Sequence, residues 1–189
     1  LTHKKAASPV VEPESPSLND HLLIIGFGLN GRNLAKAAQR YNIQFTVIEM
    51  NPDTVRREQS RGIPIHYGDA TNEEVILYAG VRRARVAVVA INDPAATRRI
   101  VELLRRLNPA LCTIVRTRFV SEVQPLYGLG ADEVIPEEFE TAVEIFSRVM
   151  RKYQVPHLEV EQLVAKIRED GYGMLRTSND SGPSQRKDH

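Results

Sequence analysis

The chain has 189 residues, 25 Lys plus Arg against 24 Asp plus Glu, a formal charge of +1, one Cys and no Trp. At about 100–200 residues per domain this length predicts one domain with appendages, and an apolar fraction of 42% is enough for a core, which excludes wholesale disorder. The balanced charge argues against a dedicated polyanion binder, so nucleic acid is not an expected partner. Cys112 alone cannot close an internal disulfide, and no CxxC or Cys/His cluster offers a zinc site. The longest apolar run, Leu22 to Leu29, has 8 residues and includes two glycines, far short of the roughly 20 that a membrane helix needs.

Residues 1–20 set Pro9, Pro13 and Pro16 among serines and scattered charges, the composition of a solvated linker. His21 to Ile25 is then a continuous apolar run, as expected of a strand buried on both faces. A glycine-rich turn leads into a helical stretch with Leu34, Ala35, Ala37 and Ala38, and Phe45 to Ile48 forms a second strand ending at Glu49. Pro52 opens a short helix that Gly62 closes. Ile63 to Tyr67 is a third strand, and Thr71 with Glu74 is a capping-box pattern for a helix through Tyr78. Val86 to Ile91 is a fourth strand; Asp93-Pro94 caps and opens a helix to Leu107. Leu111 to Val115 is a fifth strand, Val120 to Tyr127 a helix, and Glu133 to Ile135 a sixth strand.

Alternating strands and helices imply right-handed crossovers. The predicted fold class is therefore α/β, a Rossmann-like doubly wound parallel six-stranded sheet. One element departs from that plan. From Pro136 onward Phe139, Ala142, Val143, Phe146, Val149, Met150 and Tyr153 recur at helical spacing, either as core packing or as a dimer contact. Leu158 to Arg176 reads as a connector helix and Thr177 to His189 as a polar tail.

Gly26-Phe27-Gly28-Leu29-Asn30-Gly31 is a complete GxGxxG after a buried strand, and Glu49 ends the next strand 18 residues beyond Gly31. In that context Gly26 permits the tight turn, Gly28 the close approach of a phosphate, and Gly31 the close packing of helix on strand. The phosphates would rest on backbone N–H groups at the helix N-terminus, favoured by its dipole. Glu49 is placed to accept from both ribose hydroxyls, with Met50 and Asn51 beside it, and a 2′-phosphate would meet its like charge, so NADP is disfavoured. The expected ligand is NAD(H) or another adenine nucleotide, AMP, ADP or ATP. After the third strand, Asp69, next to Ala70, either accepts from an adenine amine or caps the following helix. Asn92 and Arg116 end two further strands on the carboxyl edge that open α/β sheets use for ligands. Arg116 meets a phosphate or carboxylate there, or else forms an ordinary surface ion pair.

Enzyme chemistry is poorly served. Hydride transfer needs a second substrate held against the nicotinamide, usually with an acid or base. No second domain forms a cleft, His66 has no Ser-His-Asp or Cys-His companions, and Cys112 reads as an inert core thiol. Arg82, Arg83 and Arg85 fall in a loop, while Arg98, Arg99, Arg105 and Arg106 share a helix with Glu102, a solvated face rather than a nucleic-acid site.

Together the GFGLNG turn, Glu49, GDAT, AIND and GADEVIP resemble the regulator-of-potassium-conductance domain, also called the TrkA N-terminal or KTN domain, over residues 21 to about 153. The run IVRTRFVSEVQPLYGLGADEVIPEEFETAVEIFSRVM and the later IREDGYGMLR are similar to the form attached to Kef-type potassium:proton antiporters. The resemblance implies a linker over 1–20, a nucleotide-binding domain over 21–154, a connector helix over 155–176 and a tail over 177–189. It implies a cytosolic regulatory lobe at the inner membrane, joined to a transmembrane antiporter domain before Leu1, which would explain the non-Met start. Homodimers paired through the 136–153 helix are implied as well. A stand-alone potassium-uptake regulatory subunit is the alternative, and a small NAD-dependent oxidoreductase a more distant one.

Overall fold

The computed structural model describes residues 18–169, which form two compact units: residues 18–116 with 124–134, and residues 117–123 with 135–169. The strands are β1 (His21–Ile25), β2 (Phe45–Glu49), β3 (Ile65–Tyr67), β4 (Ala84–Val89), β5 (Cys112–Thr117) and β6 (Glu133–Pro136), in the order β3-β2-β1-β4-β5-β6. β1 pairs in parallel with β2 and β4, β2 with β3, and β4 with β5. This is the Rossmann order, with its switch point between β1 and β4.

Sequence dictates the centre. All five residues of β1 are buried, and each large apolar side chain taken from water contributes about 1.5–3 kcal/mol, more than any local propensity. One face of the sheet packs Leu22, Ile24, Val47 and Ile65 against Ala35 and Ala38 of α1 (Leu29–Arg40) and Val55 of α2 (Pro52–Gln59). The remaining helices of this part of the chain are α3 (Glu73–Tyr78), α4 (Pro94–Leu107) and α5 (Val123–Gly128).

Several boundaries differ from those expected, each for a local reason. β3 begins at Ile65 rather than Ile63, because Pro64 has no N–H and Ile63 donates back to the Glu58 carbonyl at the end of α2. α3 is capped by Asn72, whose side chain accepts from the Glu74 N–H, and not by Thr71 or Asp69. β4 starts two residues earlier than expected and stops at Val89, which puts Arg85 in a strand, held by the Asp20 carboxylate, and leaves Val81–Arg83 as a 3-10 turn. β5 runs on to Thr117, so Arg116 lies within it. The expected helix from Val120 splits into a 3-10 turn, Val120–Glu122, and α5, because Pro125 cannot donate to the carbonyl four residues back. Asp93 and Asn51 cap α4 and α2 ahead of Pro94 and Pro52.

The second unit is built on α6 (Glu137–Lys152) and α7 (His157–Glu169), joined by an ion pair of Arg168 with Glu140. The expected apolar stripe divides. Phe139 and Val143 are buried, with Val160 and Val164 of α7, whereas Val149 and Tyr153 are 42% and 78% exposed. The connector helix is described only to Glu169; the rest of it, the polar tail and linker residues 1–17 lie outside the described residues.

At the amino end of β1, His21 is fully buried. Its Nε2 donates to the Ala79 carbonyl at 3.0 Å, Nδ1 has no partner, and a Cβ on Gly80 would come within 3.2 Å of the ring. Burial chiefly, and then Arg83, hold its pKa below the usual 6.5, against the opposing pull of Ala79 and Asp20. The unfolded chain therefore binds more protons below about pH 6.5, so stability is full above that pH and falls as the medium is acidified. Half-buried His66 contributes in the same direction, also through burial. Thermal melts should show this acid loss, and His21→Leu should make it shallower; an equally steep loss in the variant would contradict the assignment.

Candidate functional site

Because the strands are parallel, the ends of β1, β2, β3, β4 and β5 share one carboxyl edge. The chain leaves β1 at Gly26, whose φ of +95° suits only glycine, and a Cβ there would lie 2.9 Å from Ile91 Cγ2 and 3.0 Å from the Ala90 carbonyl. At Gly31 an added Cβ would sit 2.0 Å from the Gly26 carbonyl oxygen, so α1 passes over the turn at backbone contact. Around Gly28 nothing lies within 4 Å of that position. Gly28 is also the N-cap of α1 and supplies no side-chain hydrogen bond, and no acidic residue occupies the first turn. The helix thus presents its first N–H groups and the positive end of its dipole to an open space. Leu29 and Asn30 are exposed, whereas the Phe27 ring is buried in the core and only its backbone belongs to the turn.

Glu49, at the end of β2, joins two loops. Its Oε2 accepts from the Phe27 N–H and its Oε1 from the Asn51 N–H, both at 2.7 Å. An ionised carboxylate offers about four acceptor positions, so these bonds leave capacity for further donors. Sequence reasoning missed this bridge, which fixes the acid against the glycine turn before any ligand arrives. Met50 is exposed, and the Asn51 side chain is occupied in capping α2 through Asp53 and Thr54.

The β3 end is tied in by Gly68, whose N–H donates to the Glu49 carbonyl. A Cβ on Gly68 would be 2.7 Å from Val75 Cγ1, a requirement hidden in the GDAT segment. Asp69 is exposed, and its Oδ1 accepts from the Thr71 N–H and hydroxyl, both at 2.8 Å; Ala70 is buried. Asn92 and Arg116 meet: the guanidinium donates to Asn92 Oδ1 and to the Ile91 carbonyl at 3.2 Å. His66 stacks edge to face on Tyr78 at 5.4 Å. Burial, aided by Asp132 and Glu133, raises the Cys112 pKa and keeps its thiol protonated. Among the described residues no His, Cys, Asp and Glu cluster is arranged to hold a metal.

Strand order, glycine turn and the acid at the end of β2 define a Rossmann-like α/β domain of the nucleotide-fold class. Residues 22–137 match the TrkA-N domain, and the chain belongs to that family. It is 32% identical over 171 residues to the putative K(+) efflux antiporter KefB of Alkalimonas amylolytica, a match covering 90% of this chain. The chain spans 26% of that relative's length. The Kef C-terminal domain of Shewanella denitrificans in its AMP-bound form superposes with a TM-score of 0.69 at 20% identity, covering 82% of this chain and 94% of the other. The GsuK channel bound to NAD does so at 0.61 and 22%, covering 70% of this chain and 23% of the other. Both structures support the fold, and the expected fold class is borne out. No helix among the described residues is long and apolar enough to cross a membrane.

Proposed function

We propose that this chain is the nucleotide-sensing regulatory domain of a Kef-type potassium:proton antiporter, acting on the cytoplasmic side of the inner membrane. The observation that carries the reading is the Glu49 carboxylate bridging the Phe27 and Asn51 N–H groups beside the uncapped start of α1. In this arrangement the ligand phosphate lies on the α1 N-terminus at Gly28, the ribose hydroxyls donate to Glu49, and the adenine lies near Asp69. The Asn92–Arg116 pair receives a further anionic group of the ligand. A 2′-phosphate would face Glu49, which disfavours NADP. AMP in the Kef neighbour and NAD in the GsuK neighbour support an adenine nucleotide as the class.

The reading extends to the assembly. A transmembrane antiporter domain would precede Leu1, and two copies would pair through the 136–153 helix, where Val149 and Tyr153 stand exposed. A nucleotide that binds two dimer arrangements unequally shifts their populations and so the transporter's gate. Nothing in this scheme requires catalysis.

Thermal shifts with NAD, NADH, NADP, AMP, ADP, ATP and glutathione test the ligand class, since a ligand at 100 times its dissociation constant adds about 2.7 kcal/mol. Glu49→Ala should weaken AMP or NAD binding about tenfold or more by calorimetry while the domain stays folded. Unchanged affinity would sink the ribose assignment.

A further inference from the structure

A second cleft lies at the opposite side of β2 and β3 from the core that α1 and α2 cover. Strand alternation accounts for it. Val47 and Ile65 enter the α1–α2 core, so their neighbours Ile48 and His66, which are register partners, turn to the other face. On that face they meet α3, which has six residues, while Gln59 of α2 and Tyr67 join the lining around the three-residue edge strand β3. What remains open is a pocket of about 380 Å³ lined by Ile48, Gln59, His66, Tyr67, Glu74 and Tyr78, among others. That volume falls within the range of small-molecule sites, about 300–1,000 Å³. None of its lining residues is a member of the predicted nucleotide site.

The lining has a consistent chemistry. Three rings contribute, with His66 and Tyr78 fixed at an interplanar angle of 83°. Glu74 supplies the one carboxylate, and no Lys or Arg lines the pocket in a chain that carries 25 of them. Among the described residues the Glu74 carboxylate has no ion-pair partner, whereas adjacent Glu73 is bound by Arg106 at 2.8 Å. Burial holds the His66 pKa down, so the imidazole is neutral at pH 7 and adds no opposing positive charge. The Gln59 amide nitrogen is already engaged on the Ile65 carbonyl. Ring faces attract cations through their quadrupoles, and a lone carboxylate adds charge of the complementary sign. An anionic ligand, including a nucleotide, would instead meet Glu74.

We propose that this pocket binds a small organic cation, an alkylated ammonium group resting against the Tyr67 and Tyr78 rings beside His66, with Glu74 as its counter-charge. The probe is choline, compared with its uncharged isostere 3,3-dimethylbutan-1-ol, titrated into the full chain while the His66 and Tyr78 ring resonances are followed by NMR. Choline should shift both rings, and the isostere should bind about tenfold more weakly. Glu74→Gln, a change at an exposed position, should weaken choline binding about tenfold and leave the melting temperature unchanged. Glu49→Ala should bind choline as the wild type does, which keeps this site separate from the nucleotide reading. Ring resonances that do not move, an isostere as effective as choline, or full affinity in Glu74→Gln would each overturn the proposal.

Discussion

Gly31→Ala is expected to destabilise the domain by about 4 kcal/mol or more, a loss in the range that single substitutions reach only through a named structural conflict. The conflict is with backbone. The new Cβ would stand 2.0 Å from the Gly26 carbonyl oxygen, with the Gly26 carbonyl carbon at 3.1 Å and Ile24 Cγ2 at 3.4 Å. No flexible side chain can step aside, so the turn or the helix has to move. The turn is held by the Gly26 N–H on the Ile48 carbonyl and by the Ala90 N–H on the Ile25 carbonyl. The helix is held by Ala35 and Ala38, each 1% exposed against the sheet. Moving α1 outward opens a gap along this face, and the lost packing adds to the strain. Against a total stability of about 5–15 kcal/mol, such a loss removes much of the margin that keeps the domain folded. Urea unfolding reads it directly. Gly128→Ala, at a position where nothing lies within 4 Å, is the control. A Gly31→Ala domain with wild-type stability would show that helix and turn are not in contact.

Gly26 and Gly31 illustrate how far the sequence could be read and where reading stopped. The order of strands, the turn and the acid at the end of β2 were legible because each leaves a residue-type signature: an unbroken apolar run for β1, glycines where Cβ has no room, and Glu49 at a fixed distance. The Asp93 cap before Pro94 and the helix start at Pro52 were legible for the same reason, whereas the Asn51 cap, at a residue read as a ligand contact, was not. Contacts between distant segments were not. The Phe27 N–H that Glu49 binds belongs to a backbone that carries no sequence label, and the ring next to it is core. Thr71 looked like a cap because Glu74 follows at the right spacing, yet Asp69 takes up its hydroxyl and Asn72 does the capping. Arg85 looked like part of a basic loop because its strand has an exposed position there, neutralised by Asp20 across 65 residues of sequence. In each case long-range pairing chose between two locally reasonable options. The pocket beneath α3 belongs to the same class, since it follows from how short α3 and β3 are once both are in place.

Gly28→Val is expected to do the reverse of Gly31→Ala: leave the ligand-free domain folded and abolish its stabilisation by AMP or NAD. Gly28 has φ −69° and ψ −158°, an extended conformation open to any residue, and its missing Cβ faces empty space. No turn is strained and no core atom is displaced, so melting without ligand should change by less than about 1 kcal/mol, the scale of an N-cap preference. The same empty space is where the proposed phosphate approaches the first N–H groups of α1. An isopropyl group there excludes the phosphate from the dipole and its donors together. The shift of about 2.7 kcal/mol expected at 100 times the dissociation constant should therefore vanish. Glu49→Ala provides the comparison, because it removes the proposed ribose acceptor and its bond to the Phe27 N–H while adding no bulk at Gly28, so binding is expected to survive at reduced affinity. Measured side by side, the two variants separate the halves of the site. Retained full-strength binding in a folded Gly28→Val domain would place the phosphate away from the α1 N-terminus and overturn the assignment of that seat.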